Sequence, residues 1–346
     1  MKKILDILKY TLLFALSIFM MWYALKGINF ELVKDQLKNA NYFWIGVSVL
    51  MGTAGYWSRA VRWKMQIDPT GYKASLADTY HAMMVGYLAN LVLPRMGEVI
   101  RCSVLKRTDS IPVKVSLGTV ITERVIDLII LATLLAALFF IEFDRLSDFL
   151  ISLVSDKYST LEANQNLIYA IGGILILLGI VSMALVFIFL SRLRQNTVFM
   201  KLVNFVKGVL EGVFSIRKMD QKAAFTFHTV FVWLMYFGMS YVAFFALPVT
   251  SHLGLAAGLA ILVIGGMGMA APVQGGIGIY HILVTATLML YGLTKEAGVA
   301  YALIVHTSQT MLVVLLGGIS FILSMLKSRR KPAPESELNV MHGITR

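Results

Sequence analysis

The sequence predicts an all-α polytopic membrane protein of about eight transmembrane helices, with one or two re-entrant or broken segments. Three observations carry that expectation. Of 346 residues, 58% are hydrophobic and only 14% charged, whereas soluble domains carry about a quarter charged residues. Mean hydropathy is +0.75. Apolar runs close to the ~20 residues needed to cross the hydrocarbon core recur along the chain, with basic residues collected in the gaps between them. The net charge of +12 therefore reads as an orientation signal. It does not gather into the basic patch of a soluble nucleic-acid-binding surface, and no nucleic-acid partner is expected.

The apolar runs fall near 8–26, 42–60, 116–141, 166–191, 224–247, 253–271, 277–293 and 298–326. The first follows Met1, Lys2 and Lys3 and lacks a small-residue cleavage site, so it reads as a retained span. Gap 59–75 carries Arg59, Arg62, Lys64 and Lys73, and gap 95–114 carries Arg95, Arg101, Lys106, Arg107 and Lys114. Gap 192–222 and the segment after 326 are basic as well, whereas 142–165 is mainly acidic. The positive-inside rule puts the basic gaps and both termini in the cytoplasm.

That orientation forces an inference about 76–100, which is apolar but broken by Pro94, Arg95, Gly97 and Glu98. With cytoplasmic gaps on both sides it cannot cross once. It is expected to enter and return on one side, turning near residues 90–97, with protein or a watery cavity satisfying its non-helical backbone. Segment 253–292 has no charged residue, and Gly265, Gly266, Gly268, Pro272, Gly275, Gly276 and Gly278 crowd its middle. Two full spans with a tight turn fit the parity, and so does a second re-entrant hairpin entering from outside. Both breaks read Pro-x-x-Gly. Paired interruptions in two halves of a chain point to an inverted repeat with a binding site between them; the alternative is that Gly and Pro are simply frequent in membrane helices.

Two shorter stretches complete the organisation: 199–214 is expected to be an amphipathic helix on the inner leaflet, and 28–40 a similar one outside. The single membrane domain thus covers 1–330, and the polar segment 331–346, with two prolines, is expected to be a disordered cytoplasmic tail.

Ionisable groups within apolar spans are costly and are functional candidates by default. Arg95, Glu98 and Arg101 lie beside Asn90 and Pro94, where broken-helix ends favour an anion. Glu123 and Asp127 are four residues apart on one helix face, and Arg124 and Asp127, three apart, can pair. A helix starting near Ser116 puts Glu123 about 10 Å and Asp127 about 16 Å deep. These groups either fasten helices or serve transport. His281, beside Tyr280, follows the second break, and His306 lies in the last run near Gln309; the histidines are interhelical hydrogen-bonding groups or a proton relay. Cys102 is the only cysteine, so neither an intrachain disulfide nor a multi-cysteine zinc site can form. No metal or cofactor is expected. No phosphate-binding lysine loop, nucleophile elbow or His-Glu-x-x-His occurs, so the chain is not expected to be an ATPase or an enzyme.

Three strings resemble the lysylphosphatidylglycerol synthase transmembrane-region family: Asn90-Leu-Val-Leu-Pro94-Arg95-Met-Gly97-Glu98-Val-Ile-Arg101, Glu123-Arg124-Val-Ile-Asp127 and Pro272-Val-Gln-Gly275-Gly276-Ile-Gly278. The likeness covers nearly the whole chain. It implies a bacterial or archaeal inner-membrane protein that moves a lipid between leaflets. Two-part relatives append a soluble aminoacyltransferase. The chain is expected to lack that domain, so the synthase activity is not carried over. Relatives often read Pro-Gly-Gly at the second break and then place a glutamate; here Gln274 and His281 stand instead, which favours an anionic phospholipid or polyprenyl phosphate over an aminoacyl lipid. Asn90, Arg95, Glu98, Arg101, Arg124, Gln274 and His281 are the expected substrate contacts, Glu123, Asp127 and His306 the proton or ion-pair groups, and Pro94, Gly97, Pro272, Gly275, Gly276 and Gly278 the structural breaks. The alternatives are a membrane enzyme or a scaffold for a partner enzyme of lipid or envelope synthesis.

Overall fold

A computed structural model of the chain describes residues 2–143, 145 and 221–330. The run 166–191, the helix expected at 199–214, the tail 331–346 and most of the acidic gap 142–165 lie outside the described residues. Two compact units occur, Met1–Leu135 with Asp220–Arg346, and Ala136–Met219. In the second, the described residues are the end of one helix and a nearby pair between Arg145 and Glu142, 3.3 Å apart.

Among the described residues there are ten α-helices and no strand. In chain order they are α1 (Lys2–Leu25), α2 (Phe30–Lys38), α3 (Tyr42–Ile67), α4 (Leu76–Asn90), α5 (Gly97–Asp109), α6 (Val113–Ile141), α7 (Lys222–Val242), α8 (Leu255–Met269), α9 (Ile279–Leu290) and α10 (Lys295–Arg330). Side chains set most boundaries. Asn29, Asn41 and Ser75 cap α2, α3 and α4 by accepting backbone N–H groups of Glu31, Phe43 and Asp78, the groups a helix start leaves unpaired. Pro69 and Gly71, at φ +86°, close the turn that ends α3, and Pro112 precedes α6.

Three described helices are long and apolar enough to cross a bilayer: α6, α7 with its short extension to Ala246, and α10. Residues 11–25 of α1 together with α2 form a fourth candidate, bent by 89°. Helix α2 is the expected amphipathic segment, burying Val33. Helix α3 runs seven residues beyond the expected span 42–60, because no breaker intervenes before Pro69. This corrects the placement of Arg59 and Arg62 in a cytoplasmic gap: both are buried inside the unit.

The two interrupted segments are helical hairpins. Helices α4 and α5 have 15 and 13 residues, and α8 and α9 have 15 and 12, each below the ~20 of a full crossing. The first hairpin's return arm reaches Asp109, nine residues past the expected limit. For 253–292, both arms are shorter than a full crossing.

Both hairpins pack on α10, from opposite ends. Along α4, Asp78 meets Lys327, His81 lies 3.0 Å from Ser320, and Leu88 abuts Gly317. Along α9, His281 meets His306, and Thr285 abuts Gly298. The bases thus lie toward opposite ends of α10, and the breaks converge near its middle.

Candidate functional site

The breaks touch directly. Arg95 holds φ +62°, a left-handed conformation rare for a residue with a side chain. Its exposed guanidinium donates to the Ala270 carbonyl at 3.0 Å. A Cβ on Gly275 would lie 2.8 Å from Leu91 Cδ2, so the two turns are in van der Waals contact. Asn90 closes the first turn: its Oδ1 accepts the Gly97 N–H at 2.8 Å, supplying one of the caps that α5 otherwise lacks. Gly97 is required by space. A Cβ there would stand 2.2 Å from the Gly86 carbonyl oxygen.

Around the second break, Gln274 is buried and accepts the Ser17 hydroxyl of α1 at 2.6 Å. His306 places Nε2 2.8 Å from the Gly275 carbonyl. The His281 and His306 rings meet edge to face with centroids 4.8 Å apart, and Tyr280 lies 5.2 Å from His306. His281 Nδ1 is buried without a hydrogen-bond partner among the described residues. Gly278, at φ +82°, lets α1 pass close by, since a Cβ there would be 2.5 Å from Met20 Cβ. Beside this break, Phe14, Ser17, Ile18, Met21 and Trp22 of α1 line an open, mainly apolar groove of about 330 Å³ with Gln274 and Ile277.

The second cluster joins α3, α5, α6 and α7. Arg59 Nε donates to Glu123 Oε1 at 2.7 Å, its Nη2 to Asp127 Oδ2 at 2.5 Å, and its Nη1 to the Tyr236 hydroxyl at 3.2 Å. Arg62 Nη2 donates to Asp127 Oδ1 at 2.7 Å and lies 3.6 Å from Glu123 Oε1. Arg101 Nη2 is 3.1 Å from Glu123 Oε2, and its guanidinium stacks 4.4 Å from the centre of the Trp63 ring. Trp63 is fixed in turn by donating to Thr119 Oγ1 at 3.0 Å. Arg62 and Glu123 are fully buried. Charges this far from water are held only when paired and hydrogen-bonded.

Glu98, Arg101, Glu123, Arg124 and Asp127 thus meet in one network, while Gln274, His281 and His306 form another, and Arg95 links the turns. The expected Arg124–Asp127 pair forms, at a long 4.0 Å from Nη1, and Arg124 Nη2 lies closer to Glu98, at 3.5 Å. Arg59 and Arg62 take Asp127 because they reach it from the neighbouring helix with better geometry.

A profile of the lysylphosphatidylglycerol synthase TM region matches residues 10–317. The chain belongs to that family. It is a multi-pass membrane protein of a family named for lipid biosynthesis. It is 26% identical over 124 residues to a UPF0104 membrane protein of Methanocaldococcus jannaschii, a match covering 35% of this chain and 37% of that relative. The aligned part is thus little more than a third of the relative's length. No solved structure matches the chain.

Within this member of the lysylphosphatidylglycerol synthase TM-region family, sequence reasoning missed Arg59, Arg62 and Tyr236. The first two carried a usable signal: arginines three apart share a helix face, as do Glu123 and Asp127, four apart, so each pair can face the other across two helices. Tyr236 lies in an aromatic-rich helix and carried none.

Proposed function

We propose that the protein moves a lipid with an anionic headgroup between membrane leaflets. The observation that carries this reading is the meeting of two half-length hairpins, entering from opposite ends of α10, at an exposed arginine. Their turns are joined by the Arg95–Ala270 hydrogen bond. Opposed broken segments are how several transporter folds build a site at mid-membrane, and Arg95 offers a charge-assisted partner for a phosphate. The groove beside Gln274 gives an acyl chain an apolar path past the same break. Family membership supports lipid as the substrate class.

In this reading the protein resides in a bacterial or archaeal cytoplasmic membrane with both termini inside. It carries out no covalent chemistry and works beside an enzyme of lipid or envelope synthesis. The substrate is a phospholipid or a polyprenyl-linked lipid. The test is leaflet exchange of fluorescent phosphatidylglycerol and of polyprenyl phosphate by purified protein in proteoliposomes, with and without a pH gradient. Exchange that falls at least tenfold in a folded Arg95→Ala variant supports the proposal. No exchange of either lipid by folded wild-type protein overturns it and favours a membrane enzyme or scaffold.

A further inference from the structure

The buried network is short of one negative charge. Among the described residues, Arg59, Arg62 and Arg101 face only Glu123 and Asp127, three cations against two anions. The fourth arginine, Arg124, is half exposed and has Glu98 as its own counterion, 3.5 Å away. An unbalanced charge away from water is expensive.

The unpaired donors lie together. Arg62 and Arg101 both address the Glu123 carboxylate, from its Oε1 and Oε2 sides. Arg62 Nε and Nη1 and Arg101 Nε and Nη1 have no hydrogen-bond partner among the described residues. One helical turn from Arg62, on the same face of α3, both amide atoms of Gln66 are also buried and unpaired. These side chains are 0%, 2% and 9% exposed for Arg62, Arg101 and Gln66. Buried polar groups are almost always paired, and planar guanidinium forks are suited to phosphate oxygens. The unpaired acceptors beside these donors are Glu123 Oε2 and the neutral Gln66 Oε1, and they are outnumbered by the guanidinium N–H groups.

We propose that Arg62, Arg101 and Gln66 form an inner anion site that takes one monoanionic phosphodiester, distinct from the hairpin turns at Arg95. A phosphodiester carries the single negative charge that the cluster lacks and has free oxygens for the guanidinium donors. The inference concerns binding and stands apart from translocation; only its lipid arm rests on that reading.

The experiment uses full-length protein in detergent micelles and reads ³¹P line broadening and melting temperature. The probes are glycerophosphoglycerol, a soluble diester, and short-chain phosphatidylglycerol. Saturable binding of both identifies a free-anion site, and binding of the lipid alone identifies a headgroup site; either supports the proposal. Gln66→Leu is expected to weaken binding at least tenfold. Gln66→Glu supplies the missing charge, so it is expected to abolish binding while raising the melting temperature of the unliganded protein. If neither probe binds, the proposal is overturned, leaving internal water as the partner of these donors. Unchanged binding in both Gln66 variants, or a lowered melting temperature in Gln66→Glu, overturns it as well.

Discussion

Gly97→Ala tests whether the first hairpin closes as described. In most helices this substitution stabilises by about 1 kcal/mol, because alanine is the better helix former. At Gly97 the new methyl would stand 2.2 Å from the Gly86 carbonyl oxygen and 2.6 Å from Asn90 Nδ2. The first of these is backbone and cannot rotate away, so α4 and α5 must separate. Overpacking of this kind costs about 1–3 kcal/mol. Separation also strands the Gly97 N–H that Asn90 accepts, at about 1–3 kcal/mol more. After subtracting the helix gain, the net destabilisation is about 1–5 kcal/mol, or roughly 5- to 4,000-fold in the open population. Cys102, the only cysteine, lies on α5 and is fully buried, so its maleimide labelling rate in detergent reports that opening. Labelling tracks the open population when closing outpaces reaction. Gly118→Ala in α6 is the control, since a methyl there meets nothing within 4 Å; it should leave labelling unchanged. Equal labelling rates in Gly97→Ala and wild type would refute the close packing of α4 on α5.

Three further predictions follow from the charged groups. Glu123→Gln removes the carboxylate shared by three arginines and should destabilise the protein by about 3–5 kcal/mol, read as a loss of monodisperse protein on size exclusion. Arg124→Ala, which removes a half-exposed side chain paired at 3.5 Å with Glu98 and at 4.0 Å with Asp127, should cost about 1 kcal/mol or less by thermal unfolding. Lys327→Ala removes the cation that ties the end of α10 to Asp78 and lies 3.8 Å from Asp109; accelerated proteolysis confined to the end of α10, with transport retained, is the expected result.

Hydropathy and charge made the class and the position of both breaks legible, because crossing length and loop charge are properties of composition. The hairpin at 76–100 followed from parity alone, and its turn falls at residues 91–96, inside the expected window. For 253–292 the parity could not choose between two spans and a hairpin, since both return the chain to the same side. That choice rests on where the helices stop: α8 ends at Met269 and α9 begins at Ile279, with Gly275, Gly276 and Gly278 at φ +54°, +76° and +82° in the turn between them. The burial of Arg59 and Arg62 was hidden by the same rule that oriented the chain: arginines near the end of an apolar run look like loop charges unless their counterions on another helix are known. Glu123 and Asp127 were picked out as intramembrane carboxylates, but their partners depend on how α3 lies beside α6.

The two breaks share an architecture and differ in chemistry, and the difference follows from their neighbours. The first is charged, with Arg95 and Glu98 flanking Gly97, and α5 carries Arg101 from that turn onto the network of α3 and α6. The second has no charge between residues 253 and 292; of its polar groups, Gln274 pairs with Ser17 and His306 with a backbone carbonyl, while His281 packs its ring against His306. A charged turn needs counterions or water close by, whereas a neutral one can be packed into helices. The first hairpin therefore suits capture of an anion, and the second suits a tightly packed pivot that α1 covers at Gly278. On this argument, substitutions at Gly278 should act through packing, slowing exchange of every lipid equally, while those at Arg95 should discriminate among headgroups by charge.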